Sequence, residues 1–208
     1  MPGGLPYYLK PGQARLIPAG SDLIFQMHYT TNGTAAVDRS RIGFQFAKQP
    51  PAERVVNTFV SNRNLRIPAG VADHTVAARV TLQADSTLVA MFPHMHVRGK
   101  AFEYRATYPN GKSETLLSVP RYDFNWQLSY NLRQPKLLPK GTLLECVARY
   151  DNSPNNPFNP DPGKDIYWGD QTWDEMLAGF VDLAMPVTME PMNLAPPRQK
   201  SAPAAARQ

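Results

Sequence analysis

A single cysteine, Cys146, in 208 residues leaves no internal disulfide to form and no C-x-x-C pair to hold a metal or cycle between redox states. Its setting, Leu143-Leu144-Glu145-Cys146-Val147, is that of a buried strand residue and says little about compartment. Long apolar runs are missing too. Nothing approaches a membrane span, and Met1-Pro2-Gly3-Gly4 opens without the basic and apolar segments of a signal peptide, so the chain reads as soluble. Nor is there a basic stripe interleaved with aromatics: the charge of +5 comes from 22 basic and 17 acidic residues, and the tail holds Arg198, Lys200 and Arg207 against Glu190. No nucleic-acid partner is expected from that distribution. A Ser-His-Asp grouping, a Gly-rich phosphate loop and an H-E-x-x-H helix are likewise absent, so hydrolase and nucleotide-binding readings lack support.

What the chain does have is 21 prolines and 13 glycines, spread along its length rather than clustered. That spacing favours many short strands over long helices, and no segment holds a helical period for a dozen residues. Strand-like stretches fall at 22–29, 42–47, 54–59, 75–82, 86–96, 102–108, 114–119, 128–132, 143–150 and 175–184. Turn signals separate them: Thr31-Asn32-Gly33, Pro68-Ala69-Gly70, Pro109-Asn110-Gly111 and Pro139-Lys140-Gly141. The expected fold class is all-β, an antiparallel jelly-roll-like β-sandwich preceded by a partial β domain. Gln49-Pro50-Pro51 marks the internal boundary, since two prolines cannot lie in a central strand. It divides a remnant of a first sandwich at 1–51 from a main domain at 52–185, and a disordered tail is expected at 186–208. The Asn-, Asp- and Pro-rich stretch 151–164 reads as a long ordered loop that caps its own backbone.

His94-Met95-His96, at the end of the apolar run 88–92, carries the chemistry. Strand residues alternate faces, so the two imidazoles stand on one side, about 7 Å apart at Cα, a gap that one metal ion can bridge. An isolated H-x-H serves equally well as two polar strand residues facing water. Met176 shares a strand face with Ala178, Phe180 and Asp182; taken alone it is more often core filler than ligand. Two imidazoles with one thioether, however, suit copper that must be stable as Cu(I), and zinc rarely takes thioether. His28, in Gln26-Met27-His28-Tyr29, and His74, at a turn-to-strand junction, read by themselves as structural.

Gln26-Met27-His28-Tyr29, His94-Met95-His96 with Gly99-Lys100, and Asp174-Glu175-Met176 together resemble, in order and spacing, the copper type II ascorbate-dependent monooxygenases. The best-known members are peptidylglycine α-hydroxylating monooxygenase and dopamine β-monooxygenase, and the resemblance spans about residues 16–183. It implies two successive jelly-roll domains with one copper in each. His94, His96 and Met176 match the second-domain copper, where O2 is activated for hydroxylation of a substrate C–H bond, with ascorbate or another reductant as co-substrate. His28 matches the third histidine of the first-domain, electron-transferring copper. This chain would begin late in that domain, whose remaining ligands, including an adjacent His-His pair, have no counterpart here. The resemblance also implies a small-molecule substrate, no membrane span, and a periplasmic or secreted protein.

Two family positions differ: where the peptide-amidating branch has an arginine and a tyrosine that hold a substrate carboxylate, this chain has Phe92 and Phe180. Gln171, Asp174 and Glu175 are expected to take the free imidazole N–H groups, and Pro93 to set a bulge beside the site. Two rival readings stay open: a copper-binding or electron-transfer module without hydroxylation, and a jelly-roll ligand-binding domain using Trp126, Trp168 and Trp173.

Overall fold

A computed structural model describes residues 7–29 and 32–190. Strands β2 (Glu53–Ser61), β11 (Ala178–Pro186), β5 (Ser86–His94) and β8 (Tyr130–Leu138) form one sheet in that order, with the two-residue β1 (Gln13–Ala14) added in parallel outside β2. A second sheet runs β4 (His74–Thr81), β9 (Leu143–Tyr150), β6 (Gly99–Thr107), β7 (Ser113–Val119), and the short pair β3 (Arg66–Ile67) and β10 (Ile166–Tyr167) stands apart. Every pairing within the two larger sheets is antiparallel except β1 with β2. The molecule is an all-β sandwich, as its composition and turn spacing imply.

Alternation decides which side of each strand is buried. In β9, Leu144, Cys146, Ala148 and Tyr150 point inward, and in β6, Phe102, Tyr104 and Ala106 do so. They meet Val60, Met91, Val181 and Leu183 from the opposite sheet in one apolar core. Two tyrosines bind the layers by hydrogen bonds as well as area: the Tyr104 hydroxyl donates to the Phe180 carbonyl at 3.1 Å, and that of Tyr150 to the Met176 carbonyl at 2.9 Å. Gly179 allows the closest approach, since a Cβ there would lie 2.3 Å from Cys146 Sγ and 3.0 Å from Tyr104 Cε1. The turns Pro109-Asn110-Gly111 and Pro139-Lys140-Gly141 connect β6 to β7 and β8 to β9, with Gly111 and Gly141 at positive φ, where a side chain would be strained.

Some expectations need correction. The strands expected at 22–29 and 42–47 do not form: the described residues from 15 to 51 pair with no strand, and Ile24, Val37 and Phe46 are exposed. Their apolar spacing suits a strand, but among the described residues no strand pairs with them. The strand expected at 128–132 is instead β8, which continues through Pro135; an edge strand tolerates a residue without an N–H. Pro93 sets no bulge. The β5–β8 register shifts between Leu88 and Ala90, and Pro93 lies opposite Gly179 in an unbroken ladder. The expected tail begins inside a strand, since β11 runs to Pro186, and from residue 191 onward it lies outside the described residues.

Candidate metal centre

β8 pairs with β5 only as far as Met91, so the last residues of β5 are held in the sheet by β11 alone and their other edge carries no ladder. Beyond the ladder the chain stays extended because Tyr122 clamps Met95: its hydroxyl donates to the Met95 carbonyl at 2.6 Å and accepts from the Met95 N–H at 3.0 Å. Met95 is buried in the core. His94 and His96 therefore emerge together on the outer face, their ring centroids 5.2 Å apart and their planes at 77°.

Hydrogen bonds fix the tautomer of each ring. Gln127 donates its Nε2 to the Phe124 carbonyl at 2.7 Å, which turns its Oε1 toward His94 Nδ1, also at 2.7 Å. An amide oxygen can only accept, so His94 carries its proton on Nδ1. His96 Nδ1 faces the Asp174 carbonyl at 3.3 Å and must likewise be the donor. Both Nε2 atoms keep a free lone pair, the arrangement that metal-ligating histidines use. Burial pushes the His96 pKa down to about 4, with the nearby His94 adding to the shift, and burial also lowers that of His94. Both rings are neutral at neutral pH, ready to donate to a cation.

The register that sets His94 opposite Ala178 ends there; His96 lies two residues beyond β5 and the half-buried Met176 two residues before β11. Glu175 ties the two segments: its carboxylate, fully buried, accepts from the backbone N–H of His96 at 2.8 Å, Arg98 at 2.8 Å and Met176 at 3.0 Å. Burial raises its pKa to about 7 against the pull of those three donors and of Arg98. Arg98, also fully buried, extends the network to Asn152 Oδ1 at 2.9 Å and the Trp173 carbonyl at 2.8 Å. Asn152 holds the loop 151–164 by donating to the Pro68 and Lys164 carbonyls, so that loop is ordered as its side chains suggest.

The expected partners of the imidazoles are thus partly displaced. Asp174 serves through its carbonyl, and its carboxylate accepts from the Gln171 N–H at 3.3 Å; Gln171 reaches His96 through its backbone; Glu175 touches no ring. Gln127, which does hold a ring, is not signalled by the sequence. It sits in an aperiodic connection, and only the folding back of residues 120–129 brings it to His94. His28 lies exposed in the strand-free segment, with its charge close enough to His94 to lower that pKa further. Trp126 and Trp173 are exposed on the two loops that grip the histidines, whereas Trp168 is half-buried with Arg63 stacked over it at 5.8 Å. Among the described residues no three His, Cys, Asp or Glu side chains converge as a metal site.

Beyond His94 the outer face is aromatic. Phe92 stacks on His94 at 6.4 Å between centroids, Phe180 lies 6.4 Å from His94 and 5.8 Å from Phe92, and Phe59 lies 5.2 Å from Phe180.

No family model and no curated protein matches the chain. Among solved structures it is similar to the VP2 protein of infectious bursal disease virus: a D431N mutant in T=1 particles at 9% identity and TM-score 0.33, and a Gt-strain structure at 10% and 0.33. In each case 75% of this chain is covered, and it spans 38% of the length of the viral chain.

Proposed function

We propose that this chain carries the oxygen-activating half of a copper-dependent monooxygenase, with His94 Nε2, His96 Nε2 and Met176 Sδ as the ligands and a reductant such as ascorbate as co-substrate. The observation that carries this reading is the fixed tautomer of both histidines on one face, each with its Nδ1–H engaged and its Nε2 free. The donor set fits the ion: neutral imidazoles and a soft thioether favour copper that cycles through Cu(I). Bound there, copper would supply one-electron chemistry with O2 toward insertion of one oxygen atom into a C–H bond. The protein's own part is to keep the rings neutral and to hold them through Gln127 and the Asp174 carbonyl. Glu175 keeps the H-x-H turn against Met176, and the aromatic face displaces water beside the site.

From β2 to β11, leaving aside the separate β3–β10 pair, successive strands alternate between the two larger sheets except at the β6–β7 hairpin, which supports reading the sandwich as a jelly roll. On the same reading His28 belongs to a second copper site, and the protein works outside the cytoplasm.

Met176→Ile tests the assignment. It conserves volume, so the fold should cost less than about 1.5 kcal/mol, while Cu(I) affinity falls at least tenfold and ascorbate-driven oxygen consumption is lost. Unchanged copper retention and oxygen uptake would remove Met176 from the ligand set.

A further inference from the structure

The aromatic face continues into a pocket of about 310 Å³ lined by Phe92, Phe180, Ala90, Asn57, Arg15 and Asp182, among others. Phe92 and Phe180, which line it, also lie against the His94 ring. The polar side chains of the lining are paired with one another. Asp182, buried on the outer face of β11, accepts from Arg15 Nη2 at 2.8 Å and from Asn57 Nδ2 at 2.8 Å, and the Tyr7 hydroxyl joins it as well. Arg15 is spent on Asp182 and stacks over the Tyr7 ring at 5.0 Å. The two charged groups of the lining neutralise each other, so a charged ligand entering here would lose its hydration without gaining a free counter-ion.

We propose that this pocket binds a small, uncharged aromatic molecule, seated on Phe92 and Phe180 with its far end toward Asn57 and Asp182, and that such molecules are the substrate class of the oxygenation proposed above. The proposal rests on that reading for the word substrate; the ligand class rests on the pocket alone. Flat rings suit the site because Phe92 and Phe180, both in its lining, meet at 57°, a geometry that accepts a third ring by offset or edge-on packing. The volume is at the small end of small-molecule sites, which run from about 300 Å³ to about 1,000 Å³, and one or two fused rings suit it.

Three probes of one shape separate the possibilities: 3-ethylindole, uncharged; indole-3-acetate, an anion; and tryptamine, a cation. Equilibrium dialysis against the metal-free full chain near pH 7.5 should give 3-ethylindole a Kd at least tenfold lower than either ion. Phe180→Ala should raise that Kd at least fivefold with the circular dichroism unchanged. Should Phe180→Ala fail to fold, Phe92→Leu is read in its place, and the ranking on the unaltered chain stands by itself. Equal or tighter binding of either ion, no binding of 3-ethylindole, or an affinity indifferent to the aromatic substitution overturns the proposal. Copper titration of the same protein is scored separately: a chain that binds no copper but keeps the probe ranking sinks the monooxygenase reading and leaves the ligand class standing.

Discussion

Gln127 decides which nitrogen His94 presents outward, because its amide is itself oriented by the Phe124 carbonyl. Gln127→Leu leaves Nδ1–H without its acceptor and frees the ring to turn. Losing such a partner typically costs about tenfold to about a hundredfold in metal affinity, and Cu(I) competition titration should show a loss in that range, with Gln127→Glu restoring most of it. His96 makes a pH prediction for the metal-free chain. Its pKa is about 4 when folded against 6.5 ordinarily, so between those values the unfolded chain holds more protons. Its contribution to stability is complete above pH 6.5 and is lost as pH falls toward 4. Glu175, raised from 4.5 to about 7, works in the opposite sense, its contribution being lost as pH rises through that window. Comparison with His96→Gln cancels the Glu175 effect, and the Tm difference between the two proteins should shift against the unsubstituted chain as pH drops from 6.5 to 4. A pH-independent difference would mean that His96 is not held neutral by its surroundings. The H-x-H pair is legible in sequence because strand parity is local, whereas Gln127 is not, since its contact with His94 spans 33 positions and depends on how a loop folds back.

At the scale of elements, β11 is the strand that couples the site to the core, facing β5 and β2 in its own sheet and the second sheet through Gly179. Any side chain at Gly179 must push Cys146 and Tyr104 away, and backbone hydrogen bonds on both sides of β11 prevent an easy shift. Gly179→Ala should lower stability by about 1–3 kcal/mol, the usual cost of overpacking a core, and thermal melts would show it. Strands with clean alternation, such as β6 and β9, could be read directly from the sequence because one face is buried and the other is not. The segments at 22–29 and 42–47 show the same pattern and fail as strands, since a pattern states what a strand would bury and not whether a partner exists. β8 runs past the expected end at residue 132 for the converse reason: at a sheet edge the missing N–H of Pro135 costs no ladder bond.

For the whole molecule, the sandwich from β2 to β11 contrasts with the described residues from 15 to 51, which form no strand and are anchored by the preceding β1 and by Arg15 on Asp182. Residues 16–48 expose Phe25, Tyr29, Phe44 and Phe46, so brief chymotrypsin treatment should make its first cuts there and leave the sandwich intact, as mass mapping of the earliest products would reveal. First cuts within the loop 151–164 would contradict the hydrogen-bonded order that Asn152 imposes. The sandwich needs neither disulfide nor helix: its core is one apolar cluster spanning both sheets, and the polar network of Glu175, Arg98 and Asn152 fixes the loops around the histidines. X-ray absorption at the copper edge of the Cu(I)-loaded chain speaks most directly to the ligand assignment. We expect two imidazole nitrogens and one sulfur around the ion, with the sulfur disappearing in Met176→Ile; a site without sulfur, or one whose sulfur survives that substitution, would contradict it.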